Sequence, residues 1–229
     1  SRKEIIDKYG VLEDKVTAIH NGVDHDFFFT AEDYRDTELL RRIGIEKPYL
    51  LFVGSLQPRK NIEGLLKAAD NIYPLLSGIE IVIVGPRGWL AGGIEKVLNL
   101  HPRLRSIVRF TGYVDLGTLR ALYRKSLAFV YVPFYEGFGL PVLEAMACGA
   151  PVITSKFSSL PEISGDAAVL ADPYDIYSIS EAIKQIILNE DFRRDIASRG
   201  VDRAHNFNWQ KTAESTCLVL EKAASGDDR

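Results

Sequence analysis

The sequence predicts an α/β fold built on a doubly wound parallel sheet, and two observations lead to this expectation. Short apolar runs rich in β-branched and aromatic residues alternate with longer amphipathic stretches along most of the 229 residues. The apolar runs are continuous, as in strands that are buried on both faces. Right-handed crossovers between such strands place helices on both sides of a single parallel sheet.

The expected strands and helices follow one another in a regular order. The first strand of the sheet, residues 49–53, leads to a helix that Asn61 can cap at its amino terminus. Pro141 suits the first turn of a later helix, because the missing N–H of a proline would have no partner there. The expected strands cover residues 49–53, 79–84, 108–110, 127–131, 151–154 and 168–170, and the expected helices cover residues 3–9, 61–73, 94–99, 118–125, 141–148, 176–189, 191–206 and 208–224.

The amino-terminal part of the chain does not follow this alternation of strands and helices. Residues 15–19 predict a lone strand that ends in a turn at residues 20–24 and lies apart from the main sheet. A polar connector is expected over residues 30–46. The chain begins inside an expected helix, residues 3–9, as a fragment of a longer protein would.

The composition excludes several classes of protein. A hydrophobic content of 46% and a charged content of 26% are ordinary for a folded globular chain. The net charge of -3, with mixed signs along the chain, gives no broad surface for nucleic acid but leaves room for a small cationic pocket. The longest apolar run, residues 127–134, is too short to cross a bilayer, and the amino terminus lacks the apolar core of a secretory signal.

The cysteines and histidines predict neither a disulfide framework nor a metal site. Cys148 and Cys217 lie in apolar helical contexts, which favours a reducing, cytoplasmic setting. The four histidines show no spacing typical of metal ligands and are expected to be surface or turn residues.

Small and charged residues gather where the expected strands end. Ligands of open α/β sheets bind outside the carboxyl ends of the strands, where helix amino termini present N–H groups. The segments in question are residues 54–61, 85–88, 111–114, 133–140 and 154–155. We therefore expect a ligand site at this edge of the sheet.

The segment from Glu136 to Glu144 is the strongest candidate for such a site. Gly137 and Gly139 let the backbone approach a ligand closely, so that the loop can cradle a phosphate. A simple turn is the competing explanation for the glycines, and a solvated helix residue is the competing explanation for Glu144. Apolar residues surround Glu144 in the sequence, which favours a functional reason for its charge. An ionised carboxylate suits hydrogen bonds from sugar or ribose hydroxyls.

Arg59 and Lys60 form a second candidate at the exit of the first sheet strand. Two cations just before a helix amino terminus make an anion site. An isolated Arg-Lys pair is more often a solvated surface turn, but its position opposite the glycine-rich loop favours a role in binding.

The order of these motifs resembles the retaining glycosyltransferase family 4, of GT-B fold. The motifs are Asn21-Gly-Val-Asp24, Pro58-Arg-Lys-Asn61, Phe110-Thr-Gly-Tyr-Val114, the Glu136–Glu144 segment and Gly149-Ala-Pro-Val152, and they extend over most of the chain. The two glutamates separated by seven residues, with Gly-Phe-Gly-Leu-Pro between them, are the most specific part. The resemblance implies that the sheet is the Rossmann-like lobe that binds a nucleotide-diphosphate sugar.

The resemblance also implies a role for each site residue. Arg59, Lys60 and Glu136 would be the catalytic residues, with the two cations on the diphosphate and Glu136 on the transferred sugar. Glu144 would bind the ribose, and the backbone near Tyr113 and Val114 would meet the base. Ser55 departs from the arginine that many family members carry there, so one phosphate contact is in doubt. The implied donor-binding set is Gly54, Ser55, Arg59, Lys60, Tyr113, Val114, Glu136, Gly137, Phe138, Gly139, Leu140 and Glu144.

A complete enzyme of this type has a second lobe before this one, which supplies the acceptor site. On this interpretation residues 1–37 are the end of that missing lobe and a linker, residues 38–206 are the donor-binding domain, and residues 207–229 are a crossover helix and tail. The chain alone is then expected to bind donor but not to catalyse transfer. The absent lobe would be the part that associates with the cytoplasmic face of a membrane.

The implied function is donor binding in a retaining hexosyltransferase of polysaccharide biosynthesis. The hexose would come from a GDP- or UDP-linked sugar, with GDP-mannose as one candidate, and pass to a glycan, a lipid-linked or a small-molecule acceptor. The nucleotide sugar is a substrate, and neither a cofactor nor a metal is expected. Two alternatives stay open, a sugar-nucleotide epimerase of the same fold and a noncatalytic nucleotide-binding or interaction domain.

Overall fold

The computed structural model describes residues 2–31, 33–86 and 92–225. Within these residues six strands form one parallel sheet: β1 (Tyr49–Val53), β2 (Glu80–Val84), β3 (Val108–Gly112), β4 (Ala128–Tyr131), β5 (Val152–Ser155) and β6 (Val169–Ala171). Their order is β3-β2-β1-β4-β5-β6, and every pairing is parallel. The chain winds from β1 outward to β3 and then returns to wind outward from β4 to β6. The predicted fold class is confirmed.

Helices cover the sheet in two layers. The described helices are α1 (Arg2–Tyr9), α2 (Asp36–Arg42), α3 (Ile62–Asn71), α4 (Gly92–Leu100), α5 (Leu116–Lys125), α6 (Leu140–Ala147), α7 (Leu160–Ser164), α8 (Ile176–Leu188), α9 (Glu190–Ala204) and α10 (Trp209–Ser225). In one layer α3 packs against α4 and α8, and in the other α5 packs against α2 and α6, with α6 against α9. Each crossover is right-handed, so the helices that connect strands in the half that winds outward from β1 lie on one face of the sheet, and those that connect strands in the half that winds outward from β4 lie on the other.

The central strands are almost wholly buried, which explains their continuous apolar sequences. Leu50, Leu51 and Phe129 are fully buried, as are Ile81 and Ile153 on the neighbouring strands. Burying one side chain of this kind stabilises the folded state by about 1.5–3 kcal/mol. The sheet is therefore rigid enough to hold the loops at its carboxyl ends in fixed positions.

The structure corrects two expectations for the amino-terminal part. The lone strand predicted over residues 15–19 does not form: Glu13–Lys15 is a turn of 3-10 helix, and residues 16–19 pair with no strand in the described part of the chain. The polar connector predicted over residues 30–46 contains helix α2, whose two buried residues are Asp36 and Leu40. A single buried leucine was too weak an apolar pattern to reveal this helix. Helix α7 was not predicted either.

Asn61 occupies the position before α3 but does not cap it with its side chain. Its backbone is left-handed, with φ of 57°, and the side-chain amide donates instead to the carbonyls of Val132 and Pro173 at 3.0 and 2.9 Å. The predicted capping bond is therefore wrong. Asn61 ties the loop after β1 to the exits of β4 and β6, and the loops after β1 and β4 are the ones that carry the candidate site.

The two terminal segments contact each other. The Val23 N–H donates to the Phe207 carbonyl at 3.2 Å, and Val23 forms a parallel bridge with Asn208. A Cβ on Gly22 would lie 2.2 Å from the backbone nitrogen of Trp209, so only glycine fits this contact. None of the residues of α1 or α10 is buried. The predicted division at residues 37 and 206 stays a prediction.

Within the described ranges no helix has both the length and the apolar content of a bilayer span.

Candidate functional site

The point where the winding changes direction lies between β1 and β4. The loops that follow these two strands diverge to opposite faces of the sheet and leave a crevice at its carboxyl edge. Residues 54–61 follow β1 and residues 132–139 follow β4. The structure thus brings the two strongest sequence candidates together.

Lys60, Tyr131 and Glu136 meet in this crevice. The Lys60 Nζ atom lies 2.5 Å from a Glu136 carboxylate oxygen, and it also donates to the Tyr131 hydroxyl. The same Tyr131 hydroxyl donates to Glu136. Lys60 and Tyr131 are buried, and the Glu136 side chain is 15% exposed. A cation and a carboxylate predicted to serve separate parts of a ligand are therefore one hydrogen-bonded unit.

Glu136 is held in its ionised form. Burial alone would raise its pKa, but hydrogen bonds from Lys60 and Tyr131, with the charges of Lys60 and Arg59, outweigh burial and place the pKa below its ordinary value. At neutral pH the carboxylate can accept a hydrogen bond from a ligand hydroxyl or stabilise nearby positive charge.

Arg59 is the accessible cation of the site. Its side chain is 50% exposed, its Nη1 atom lies 3.7 Å from Glu136, and its Nε donates to the Gln57 side chain. The Arg59 carbonyl accepts a hydrogen bond from the Phe134 N–H at 3.0 Å, which joins the loops after β1 and β4. The guanidinium can reach an anionic ligand without unfolding any part of the crevice.

Two serines that sequence reasoning missed hold the glycine-rich loop. The Glu136 N–H donates to the Ser158 hydroxyl at 3.1 Å, and the Ser159 hydroxyl donates to the carbonyls of Glu136 and Phe138. The Ser158-Ser159 pair, three residues past the end of β5, was the only signal for them in the sequence. Gly139 has φ of 112°, which explains why glycine occupies the turn into α6. Leu140 begins that helix, so Pro141 is its second residue.

The exits of β1, β2 and β3 pack closely together. Gly54 donates to the Val84 carbonyl and Gly85 to the Gly112 carbonyl, both at 2.9 Å. A Cβ on Gly85 would lie 2.1 Å from the Gly54 carbonyl oxygen, so the two loops can touch only because residue 85 is glycine. Residues 87 and 88 of this predicted site edge lie outside the described residues.

The residues predicted to meet a base lie further along the same edge. Tyr113 is 82% exposed and Val114 is half-buried after β3, and Ser55 is half-buried after β1. Among the described residues nothing lies within 4 Å of a Cβ placed on Gly112, so the backbone at the end of β3 has open space on that side.

Glu144 lies one turn into α6, half-buried against α5. Its carboxylate accepts a hydrogen bond from the Tyr123 hydroxyl at 3.0 Å. Burial raises the pKa of Glu144, and the hydrogen bond from Tyr123 offsets only part of that effect. A carboxylate kept where its charge is unfavourable is what a functional residue requires.

Replacing Glu144 by glutamine should therefore stabilise the chain at neutral pH. The raised pKa means that the folded state favours the protonated form, so stability falls as pH rises from the ordinary glutamate pKa through the raised one. Glutamine keeps the acceptor for Tyr123 without the charge. We expect the melting temperature at pH about 8 to rise by roughly 1–4 °C, and the difference to vanish below pH about 4. A lower melting temperature for Glu144→Gln at pH about 8 would contradict this account.

The histidines and cysteines are not members of the Lys60–Tyr131–Glu136 unit, although the ring of His20 lies 6.1 Å from that of Phe138 in the glycine-rich loop. His20 pairs with Glu162 at 2.7 Å, and the ring of His25 stacks on that of His205. Cys148 is buried and Cys217 exposed, and both are free. In the part of the chain that the structure describes, no three His, Cys, Asp or Glu side chains are grouped as a metal site would require.

The chain is similar in sequence to known glycosyltransferases. The family described as "Glycosyl transferases group 1" matches residues 37–203. The O-antigen chain mannosyltransferase B of Escherichia coli is 39% identical over 170 residues, which cover 73% of this chain and 44% of that protein. The D-inositol 3-phosphate glycosyltransferase of a Nocardioides species is 29% identical over 239 residues, with coverage of 96% and 51%. The chain thus spans about half the length of these relatives.

Solved structures share the fold. The sucrose-phosphate synthase of Thermosynechococcus elongatus superposes with a TM-score of 0.81 at 25% identity, over 98% of this chain and 57% of that one. The Anabaena HepE protein, solved with UDP and glucose, gives a TM-score of 0.85 at 20% identity, over 96% and 60%. The described sheet and helices therefore match one lobe of larger proteins.

Proposed function

The chain belongs to the glycosyl transferases group 1 family, and we propose that it is the donor-binding lobe of a retaining hexosyltransferase. The donor would be a nucleotide-diphosphate hexose, and the mannosyltransferase relatives favour GDP-mannose. The chain spans only part of its relatives, so the second lobe, the acceptor and the reaction of the whole enzyme are all part of the proposal.

The observation that carries the proposal is the meeting of Lys60 and Glu136 at the switch point of the sheet. Their contact of 2.5 Å places a cation and an ionised carboxylate where open α/β sheets bind nucleotides. A diphosphate requires positive charge, and a sugar requires hydroxyl acceptors. This pair, with the exposed Arg59 beside it, offers both within one crevice.

The order of strands sets the direction in which the donor lies. The base would meet the backbone after β3 near Tyr113 and Val114, and the ribose would reach Glu144. The diphosphate would lie over the exits of β1 and β4, against Arg59 and Lys60. The hexose would then contact Glu136 and the N–H groups of Phe138, Gly139 and Leu140, with Gly54, Ser55 and Gly137 giving the backbone room.

The proposed chemistry is departure of the nucleoside diphosphate with retention at the sugar. Arg59 and Lys60 would stabilise the negative charge that develops on the diphosphate, an effect worth about 2–4 kcal/mol for one well-placed group. We propose that these two cations take the role that a divalent metal has in other transferases. Glu136, ionised and fixed by Tyr131, would orient the hexose through its hydroxyls.

Calorimetric titration of the chain with GDP, UDP, GDP-mannose and UDP-glucose tests the proposal. We expect one nucleotide series to bind, in the presence of EDTA as well as without it. Arg59→Ala should weaken binding by about tenfold to a hundredfold, as loss of one charge-assisted contact does. Glu144→Gln should weaken it to a similar degree while leaving the chain more stable.

Arg105→Ala is the matched control for Arg59→Ala. Arg105 is 48% exposed and pairs with Glu95, but it precedes β3 and so lies at the opposite edge of the sheet. The proposal is overturned if Arg59→Ala and Glu144→Gln bind nucleotide as the wild type does, or if no nucleotide binds at all. Turnover of a nucleotide sugar without any acceptor would favour the epimerase, and a folded chain that binds no nucleotide would favour the noncatalytic domain.

The remaining features of the proposal concern the complete enzyme. We propose that residues 1–37 and 207–229 join the donor lobe to a second lobe that binds the acceptor. Polysaccharide synthesis at the cytoplasmic face of a membrane suits both the relatives and a nucleotide-sugar donor. The exposed leucines of α10, among them Leu218 and Leu220, would then pack against the second lobe.

A further inference from the structure

Three aromatic rings form a connected row beside the proposed donor site. Phe134 follows β4, Phe157 follows β5 and Tyr174 follows β6, so the rings lie at three neighbouring strand exits. The ring centroids of Phe134 and Tyr174 are 5.0 Å apart, and those of Phe157 and Tyr174 are 5.9 Å apart. We call these three residues the aromatic platform.

The aromatic platform is open to solvent. Tyr174 is 71% exposed and Phe157 is 40% exposed, whereas Phe134 is half-buried beneath them. A contiguous exposed aromatic surface is unfavourable in water unless a ligand or partner uses it. The exposed faces of Tyr174 and Phe157 add no buried apolar surface to the core.

The hydrogen bonds that fix the donor crevice also fix the aromatic platform. The Phe134 N–H donates to the Arg59 carbonyl, and the Asn61 side chain donates to the carbonyl of Pro173, next to Tyr174. The Tyr174 N–H donates to the Asp172 carboxylate at 2.9 Å. The platform is thus held at a set position relative to Arg59 and Lys60.

The platform continues the donor site on the side where the hexose would lie. Ser158, which directly follows Phe157, accepts the hydrogen bond of the Glu136 N–H. In the proposed arrangement of the donor, the order along the sheet edge from β3 to β6 is base, diphosphate, hexose and then platform. A molecule resting on the platform would lie next to the hexose that Glu136 contacts.

We propose that the aromatic platform is a subsite on the donor lobe that adds to the acceptor site of the second lobe by binding a neutral saccharide unit. This inference rests on the proposed function. Pyranose rings carry an apolar face of C–H groups that packs on aromatic rings, as flat ring systems stack on aromatic side chains in other complexes. The rim beside the Phe157 ring is polar and locally neutral, since Lys156 pairs with Asp172 at 3.0 Å there. Such a rim suits sugar hydroxyls better than it suits an anionic ligand.

Saturation-transfer NMR on the whole chain tests this subsite. The probes are α-linked mannotriose and maltotriose, and calorimetry with the bound nucleotide is run on the same samples. We expect the ring protons of at least one trisaccharide to receive saturation. Tyr174→Ala and Phe157→Ala should each weaken saccharide binding by about tenfold or more, while nucleotide affinity stays within about twofold.

Tyr177→Ala is the matched control. Tyr177 is 67% exposed on α8 and lies with Leu170 and Gln185 at a separate depression of the surface. Tyr177→Ala should leave the saccharide signal unchanged. A signal that is lost in Tyr174→Ala and kept in Tyr177→Ala would show that the platform binds the saccharide, and that exposed tyrosines in general do not.

The outcomes separate this inference from the proposed function. A wild-type chain that binds nucleotide but neither trisaccharide overturns the platform alone, and so does a saccharide signal that survives in both platform variants. Platform-dependent saccharide binding without any nucleotide binding overturns the proposed donor site and supports the subsite. Self-association that disappears in Tyr174→Ala, with no saccharide signal, assigns the rings to a protein contact and overturns the inference.

Discussion

Replacing Lys60 by methionine is expected to reduce nucleotide-diphosphate affinity by about a hundredfold or more, because it removes the buried cation of the donor crevice. The variant also leaves Glu136 with an uncompensated charge in the same place, which repels a diphosphate. Glu136 keeps the Tyr131 hydroxyl, the Gly137 N–H and the more distant Arg59 as partners. We expect the free energy of unfolding to fall by about 1–3 kcal/mol at neutral pH.

The stability loss in Lys60→Met should depend on pH. In the wild-type chain the lowered pKa of Glu136 contributes stability that is present above the ordinary glutamate pKa and lost as pH falls through the lowered value. Without Lys60, the pKa of Glu136 rises, because one hydrogen bond and one charge that oppose the effect of burial are gone, so the ionised carboxylate contributes less stability at neutral pH. The difference in melting temperature between wild type and variant should therefore shrink on acidification.

A double variant separates the role of Lys60 in binding from its role in folding. Lys60→Met combined with Glu136→Gln removes both charges, so the melting temperature should recover most of its loss. Nucleotide affinity should not recover, because the cation is still absent. Recovery of both quantities would mean that Lys60 serves the fold alone, and it would contradict the proposed role on the diphosphate.

The sheet could be predicted from sequence because a strand buried on both faces shows itself locally. Residues 49–53 form β1 as predicted, and the later strands differ from expectation by a few residues at their ends. The switch point followed from the order of strands and helices. The glycine-rich loop and the Arg59-Lys60 pair could be located for the same reason, since each follows a strand that was easy to recognise.

The contacts inside the site could not be predicted, because they join residues far apart in the chain. Tyr131 looked like another apolar strand residue, and only the fold shows its hydroxyl between Lys60 and Glu136. Asn61 looked like a helix cap, yet its amide reaches loops 71 and 112 residues further on. The strand expected over residues 15–19 failed for the opposite reason, since a favourable local sequence found no neighbouring strand.

Helix α2 shows the same limit in the segment that was predicted as a polar connector. Its buried Asp36 carboxylate pairs with Arg124 of α5 at 2.6 Å, and the two side chains are 1% and 4% exposed. Arg124 also donates to the Ala31 carbonyl and lies over the Phe29 ring at 5.1 Å. The polar residues that hide this helix in the sequence are the ones that anchor it in the structure.

Replacing Asp36 by alanine is expected to destabilise the chain by about 3–5 kcal/mol, because the Arg124 guanidinium would stay buried without its counter-charge. Arg42→Ala is the control on the same helix: Arg42 is 69% exposed in its pair with Glu38, so its loss should cost less than about 1 kcal/mol. Urea unfolding of the two variants measures both values.

A double variant tests whether the stability lost in Asp36→Ala comes from the unpaired charge of Arg124. Asp36→Leu combined with Arg124→Met replaces the ion pair by apolar side chains of similar length, and such replacements are often neutral or stabilising. The double variant should therefore unfold at a higher urea concentration than Asp36→Ala. If Asp36→Ala unfolded like the wild type, the pair would contribute nothing, and α2 would have to be held by Leu40 and the rest of its apolar contact with α5. The Asp36–Arg124 pair lies in the layer of α5 and α6, away from the crevice between β1 and β4. The nucleotide affinity of the folded variants should therefore match that of the wild type. This result would separate the stability of the lobe from its ability to bind nucleotide.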